Sequence, residues 1–237
     1  MFELVFAFYL VIVMPAQALW RSLRPTPARP PLPPLRSYWR QSRHVGLLLA
    51  VLGAVEWQAG RSLGELGLDI PLSMPGFWGL CAAAGLLAVI HAAGLVIEHR
   101  MTPEARTAQA RKMAGNDSFP WPATRGEMVA FVASMSMICI AWELLYRGFL
   151  LLVLTPHLGL PLAIVAAAVA YGVAHGYESR AQCLMSIMAA FLFTLGYAWT
   201  HSLWWLIVIH VVFPLAAFWG VRKARRQVAQ GALAAQV

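Results

Sequence analysis

The sequence predicts an all-α, polytopic membrane helical bundle of about seven transmembrane helices, and three observations carry that expectation. Of the 237 residues, 60% are hydrophobic and 12% charged, whereas soluble domains run near 45–50% and about 25%. The apolar residues come in runs, several of them near the roughly 20 helical residues that a bilayer core demands. The charges are gathered between those runs.

The net charge of +8 does not point to nucleic acid. A nucleic-acid binder carries its basic residues as a patch on a folded soluble surface. Here they flank apolar runs, where they report orientation across a membrane. No nucleic acid is expected as a partner; the lipid bilayer is. Cys81, Cys139 and Cys183 all fall inside apolar runs, odd in number and without CxxC spacing. That excludes a disulfide framework or zinc knuckle and leaves them as packing residues. Basic residues other than Lys112 and Lys223 are arginine. With the Ala, Leu, Gly and Pro richness, this fits a GC-rich bacterial genome and a multi-pass protein of the inner (cytoplasmic) membrane.

The first apolar run is Phe2 to Leu19. Ala16-Gln17-Ala18 resembles a cleavage site, but the segment before it holds Glu3 and no basic residue, whereas signal peptides open with positive charge. It is read as a retained first span. A basic, Pro-rich linker, Trp20 to His44, carries Arg21, Arg24, Arg29, Arg36, Arg40 and Arg43. Its prolines favour extended polyproline geometry, and its arginines suit anionic lipid; a PxxP docking site is the alternative. Residues 1–44 thus form a first unit, 45–221 the helical core with its motifs in 126–221, and 222–237 a basic cytoplasmic tail.

Further spans are expected at about 45–60, 76–97, 126–154, 160–176, 181–200 and 203–221. The polar stretch 98–125 closes on the turn residues Asn116, Asp117, Pro120 and Pro122. With seven spans and the N-terminus outside, the linker, that polar stretch, the turn at 177–180 and the tail all fall inside. They hold nearly every charge, while the outer loops hold Arg61, Glu65 and Asp69. The positive-inside bias therefore gives N-out, C-in. No internal repeat of the inverted-transporter kind is visible.

Charges inside the core cost at least about 2.5–3.5 kcal/mol each and call for a partner or a wet cavity. Glu56, Glu143, Arg147, His175 and His210 stand out, with His91 a weaker case. Glu143 and Arg147 are four apart, acid first, the favourable order for a helical ion pair. Two leucines would pack there as well or better, so a buried ion pair is a poor purely structural device. A glutamate and two histidines on three spans could hold a divalent metal such as zinc, for which His₂Glu is a known ligand type. They could equally hold a water for general-base attack with no metal. The HExxH spacing of helical zinc proteases is absent.

Glu143-x-x-x-Arg147-Gly148, then Tyr171-x-x-x-His175, then mid-span His210 resemble the three motifs of the CPBP family: CAAX-protease and bacteriocin-processing (Abi, Rce1-like) intramembrane endopeptidases. Ser62 to Leu68 is similar to a short segment often found upstream in bacterial members. The resemblance spans about 62–221, with its motifs in 142–214. It implies catalytic roles for four residues: Glu143 as general base, Arg147 orienting it, His175 holding the attacking water and His210 meeting the oxyanion. The substrate would be a membrane-associated peptide or protein. Two slots depart from the pattern. Trp142 stands where a first glutamate belongs, and Pro214 where an asparagine belongs. Glu143 lies about 100° further round the helix than the missing base, so its use requires a rotated or locally distorted helix. The alternative reading is a non-catalytic member that binds a membrane partner as an immunity or assembly factor; a proton-carrying transporter is a third.

Overall fold

A computed structural model describes residues 1–23, 32–115, 119–175 and 179–234, with side chains described as far as 230. Among them the chain is all helical. We number the helices α1 (Phe2–Leu23), α2 (Pro34–Ala59), α3 (Met74–Arg100), α4 (Pro103–Ala114), α5 (Arg125–Leu158), α6 (Leu160–Ala174), α7 (Arg180–Thr200) and α8 (Trp204–Ala234).

Five of these, α1, α3, α5, α7 and part of α8 (Trp204–Gln230), are long and apolar enough to cross a membrane. The two other expected spans are helical but differ in kind. Helix α6 is apolar yet only 15 residues, about 22 Å at 1.5 Å per residue. Helix α2 is long, but Arg36, Arg40, Arg43 and Glu56 lower its hydropathy.

Helix α2 starts at Pro34 rather than near Val45, so the second half of the expected linker is helical. Pro34 occupies the first turn, where a missing N–H costs nothing because no partner exists there. Tertiary contact then holds the turn: Tyr38 is buried, stacks against Phe119, meets Phe131 at a tilt, and donates its hydroxyl to the Pro120 carbonyl. The polyproline stretch itself, 24–31, lies outside the described residues. The polar stretch also contains an unexpected helix, α4, whose N-terminus is capped by Thr102 accepting from the Ala105 N–H at 3.2 Å.

Two apolar clusters organise the bundle. The larger joins α1, α2, α5, α6, α7 and the start of α8 around Leu10, Leu52, Tyr146, Phe149 and Leu206. The smaller joins α2, α5 and α8 through Tyr38, Phe131, Met135 and Phe218. Close approach relies on glycine: a Cβ on Gly172 of α6 would stand 2.7 Å from the Ile187 Cα of α7. Such small residues let helix backbones meet in membranes. Helix α3 stands apart, packed on α7 and α8 but largely exposed, and His91 is exposed on it.

Candidate active site

Helix α5 carries the first motif. Its N-terminus is fixed by a capping box in which Thr124 accepts from the Glu127 N–H and the Glu127 side chain returns to the Thr124 N–H. Immediately after Glu143 the helix widens into a π-helical turn over Leu144–Phe149. Such π-turns add a residue and re-aim neighbouring side chains, often at functional sites. A local distortion thus adjoins Glu143. The same turn brings Gly148 against the 62–68 segment, where an added Cβ would meet the Leu66 carbonyl oxygen at 2.6 Å. That segment is pinned in turn to the start of α8, since the Leu203 N–H donates to the Gly67 carbonyl at 2.7 Å.

Glu143 and Arg147 are both 0% exposed. Arg147 Nη1 donates to Glu143 Oε1 at 3.1 Å, and His210 Nδ1 of α8 lies 2.5 Å from the same oxygen. A carboxylate only accepts, so Nδ1 carries the proton of this bond, and the other ring nitrogen, Nε2, is turned toward α6. The Tyr171 hydroxyl of α6 stands 3.0 Å from that Nε2. The Arg147 guanidinium lies over the Tyr171 ring, 3.9 Å from its centroid. Arg147, Glu143, His210 and Tyr171 therefore form one connected chain across three helices.

His175 ends α6 and is exposed. Its ring stacks on Tyr171 at 5.5 Å between centroids and lies 6.4 Å from that of His210. Trp142 fills the first-glutamate slot with an indole that stacks on Tyr146 and meets His175 edge-on, centroids 5.6 Å apart. Of the expected site residues, Glu143, Arg147 and His210 bond directly, and His175 joins them through Tyr171. Glu56 belongs elsewhere: it pairs with Arg61, which also reaches Glu3 at 2.6 Å.

Two residues of the site escape sequence reasoning. Tyr171 is quoted there only as the motif aromatic. Cys139 is read only as packing, yet its thiol donates to the His210 carbonyl oxygen at 3.2 Å. Its spacing of four before Glu143 is the one signal that could have found it. As for a metal, Glu143 Oε1 is already shared between a guanidinium and an imidazole. Among the described residues no group of three His, Cys, Asp or Glu side chains is placed to hold an ion. The residues present do not make a metal-ligand set, and no step is derived through one.

The family model of Rce1-like type II CAAX prenyl endopeptidases matches residues 124–216. Over these residues the chain is similar to that family. The match runs from the α5 capping box to just past Pro214 and so contains all four residues of the connected chain together with His175 and Trp142. No curated protein and no solved structure matches the chain. That likeness and the helices long and apolar enough to cross a membrane point to a multi-pass membrane protein in a lipid environment.

Proposed function

We propose that the protein is an intramembrane endopeptidase that hydrolyses a membrane-associated peptide or protein. Glu143 acts as general base, Arg147 orients it, His175 holds the attacking water and His210 meets the oxyanion. The observation that carries this reading is Glu143 itself: a fully buried carboxylate gripped by Arg147 at 3.1 Å and by His210, on another helix, at 2.5 Å. A pair and a histidine held at this desolvation cost are poor scaffolding.

In the reaction, the water oxygen bonds to the scissile carbonyl carbon, its proton passes to the Glu143 carboxylate, and that proton goes on to the amine as the C–N bond breaks. Charge develops on the carbonyl oxygen. His210 meets that charge through the Tyr171 hydroxyl it holds at Nε2, 3.0 Å away, a donor where Pro214 replaces the family asparagine. The seven-span, N-out, C-in topology belongs to the same proposal, with α2 and α6 as the two additional crossings, in a bacterial inner membrane.

The decisive measurement is cleavage of a membrane reporter peptide by wild type and by Glu143→Gln. Loss of general-base catalysis lowers the rate by about 10²–10⁴, with folding retained because Gln keeps the shape. Cleavage that survives the substitution refutes the assignment.

Trp142 favours a second reading, a non-catalytic partner-binding member. Its indole faces His175 where a carboxylate belongs, so the water-holding histidine meets an aromatic edge. On that reading wild type shows no cleavage, and Trp142→Glu, which returns the missing carboxylate, restores some.

A further inference from the structure

Away from the motifs, the N-terminal end of α5 and the last turns of α8 enclose a cavity of about 360 Å³. Arg125 lines it from the first turn of α5, and Arg222 and Arg226 line it from α8. Its apolar lining comes from Met128, Phe218 and Trp121. We infer that this cavity is a binding site for a phosphate-bearing anion, and that its occupant is the headgroup of an anionic phospholipid.

Four observations carry the inference. First, Arg222 and Arg226 are four apart on one helix face, a like-charge spacing that destabilises a helix unless an anion lies between them. Second, among the described residues no carboxylate is within ion-pair distance of Arg125, Arg222 or Arg226. The acid in the first turn of α5, Glu127, is committed to the capping box, accepting from the Ala123 and Thr124 N–H groups at 2.9 and 3.0 Å. Third, Trp121 holds a buried indole N–H with no acceptor among the described residues, a donor whose desolvation is uncompensated without a ligand. Fourth, the lining is amphipathic, guanidiniums against methionine and aromatic rings, which suits a phosphate joined to an acyl glycerol better than a free ion.

The position fits as well. Helix α8 has 31 residues, about 46 Å, more than the hydrocarbon thickness of about 30 Å. Its last turns therefore stand in the headgroup layer. There the positive end of the α5 dipole adds to the guanidiniums, and basic pockets between helices take up phospholipid headgroups.

Native mass spectrometry of the full-length protein in detergent, titrated separately with phosphatidylglycerol, phosphatidylcholine and inorganic phosphate, tests this. The expected result is a phosphatidylglycerol adduct at concentrations where phosphatidylcholine gives none. Arg222→Gln with Arg226→Gln should weaken it about thirtyfold, the effect of two basic side chains at a lipid surface. The control Arg36→Gln with Arg40→Gln, two arginines outside the cavity, should leave it unchanged. If the double variant does not fold, Arg125→Gln and Trp121→Phe, each alone, should weaken the same adduct. A phosphate adduct that blocks the lipid assigns the phosphate chemistry but overturns the lipid as occupant. Equal binding of both lipids, or binding indifferent to every cavity substitution, overturns the site.

Discussion

The thiol of Cys139 donates to the carbonyl oxygen of His210 at 3.2 Å. Four residues beyond His210 stands Pro214, inside α8, which has no N–H to offer that carbonyl. A side chain from α5 thus satisfies a backbone group that a proline has orphaned. The device recurs in α1. There Met14 N–H bonds to the Tyr9 carbonyl across a π-turn, so the next donor in register belongs to Pro15 and is missing. The Tyr146 hydroxyl of α5 donates to the freed Leu10 carbonyl at 3.3 Å. Away from water, such groups must find partners within the protein. Helix α5 therefore braces two proline-interrupted helices from the turns on either side of Glu143.

Replacing Cys139 with Ala is expected to cost about 1 kcal/mol, the net worth of a modest hydrogen bond to a buried acceptor. In a Pro214→Ala background, where the backbone N–H returns, the same replacement should cost almost nothing. Unfolding midpoints of the four proteins in detergent give the coupling. Additive effects would mean that the thiol does not serve this carbonyl.

Arg147→Ala should destabilise the fold by about 3–5 kcal/mol, because it strands the Glu143 carboxylate in low dielectric. Adding Glu143→Gln should recover much of that loss, since the stranded charge is gone. Protein level and unfolding midpoint report both. A stable Arg147→Ala protein would show that the pair is not desolvated.

At Gly148 the added methyl of alanine meets the Leu66 carbonyl oxygen at 2.6 Å, and backbone cannot yield cheaply. Overpacking of this kind costs about 1–3 kcal/mol. Gly148→Ala should lower the unfolding midpoint accordingly, whereas Gly85→Ala, with nothing within 4 Å of its Cβ, should not lower it.

For Tyr171→Phe, ring stacking on His175 and Arg147 persists while the donor beside His210 Nε2 is lost. Loss of one oxyanion donor costs about 10²–10³ in kcat, with KM nearly unchanged. A fall in kcat/KM carried by KM instead would assign the hydroxyl to substrate binding.

Reporter fusions placed after Gln227 and between Arg24 and Pro34 should both read cytoplasmic if the chain crosses seven times with its N-terminus outside. A periplasmic signal from either site means that α2 or α6 does not cross.

The membrane class, the order of the long helices and the Glu143–Arg147 pair were legible from composition and spacing, because apolar run length and i,i+4 geometry are local properties. Tyr38 shows what was not. Prolines and arginines around it read as an extended linker, yet its ring and hydroxyl are anchored on residues 119–131, a contact no local pattern carries. Helix α4 was hidden for the related reason that a polar helix has no apolar period to betray it.

For the site the division is sharper. By itself the sequence determined which charged and histidine residues the apolar helices carry, and such residues need compensating partners in low dielectric. Only the tertiary structure decided the pairing. His210 turned its Nδ1 to Glu143 rather than toward His175, Tyr171 took the other ring nitrogen, and Cys139 took the carbonyl that Pro214 leaves free. Those choices depend on distances between residues 39 to 71 positions apart in the chain. Such distances are set by packing, because each buried donor or acceptor accepts whichever partner the close-packed bundle brings within about 3 Å.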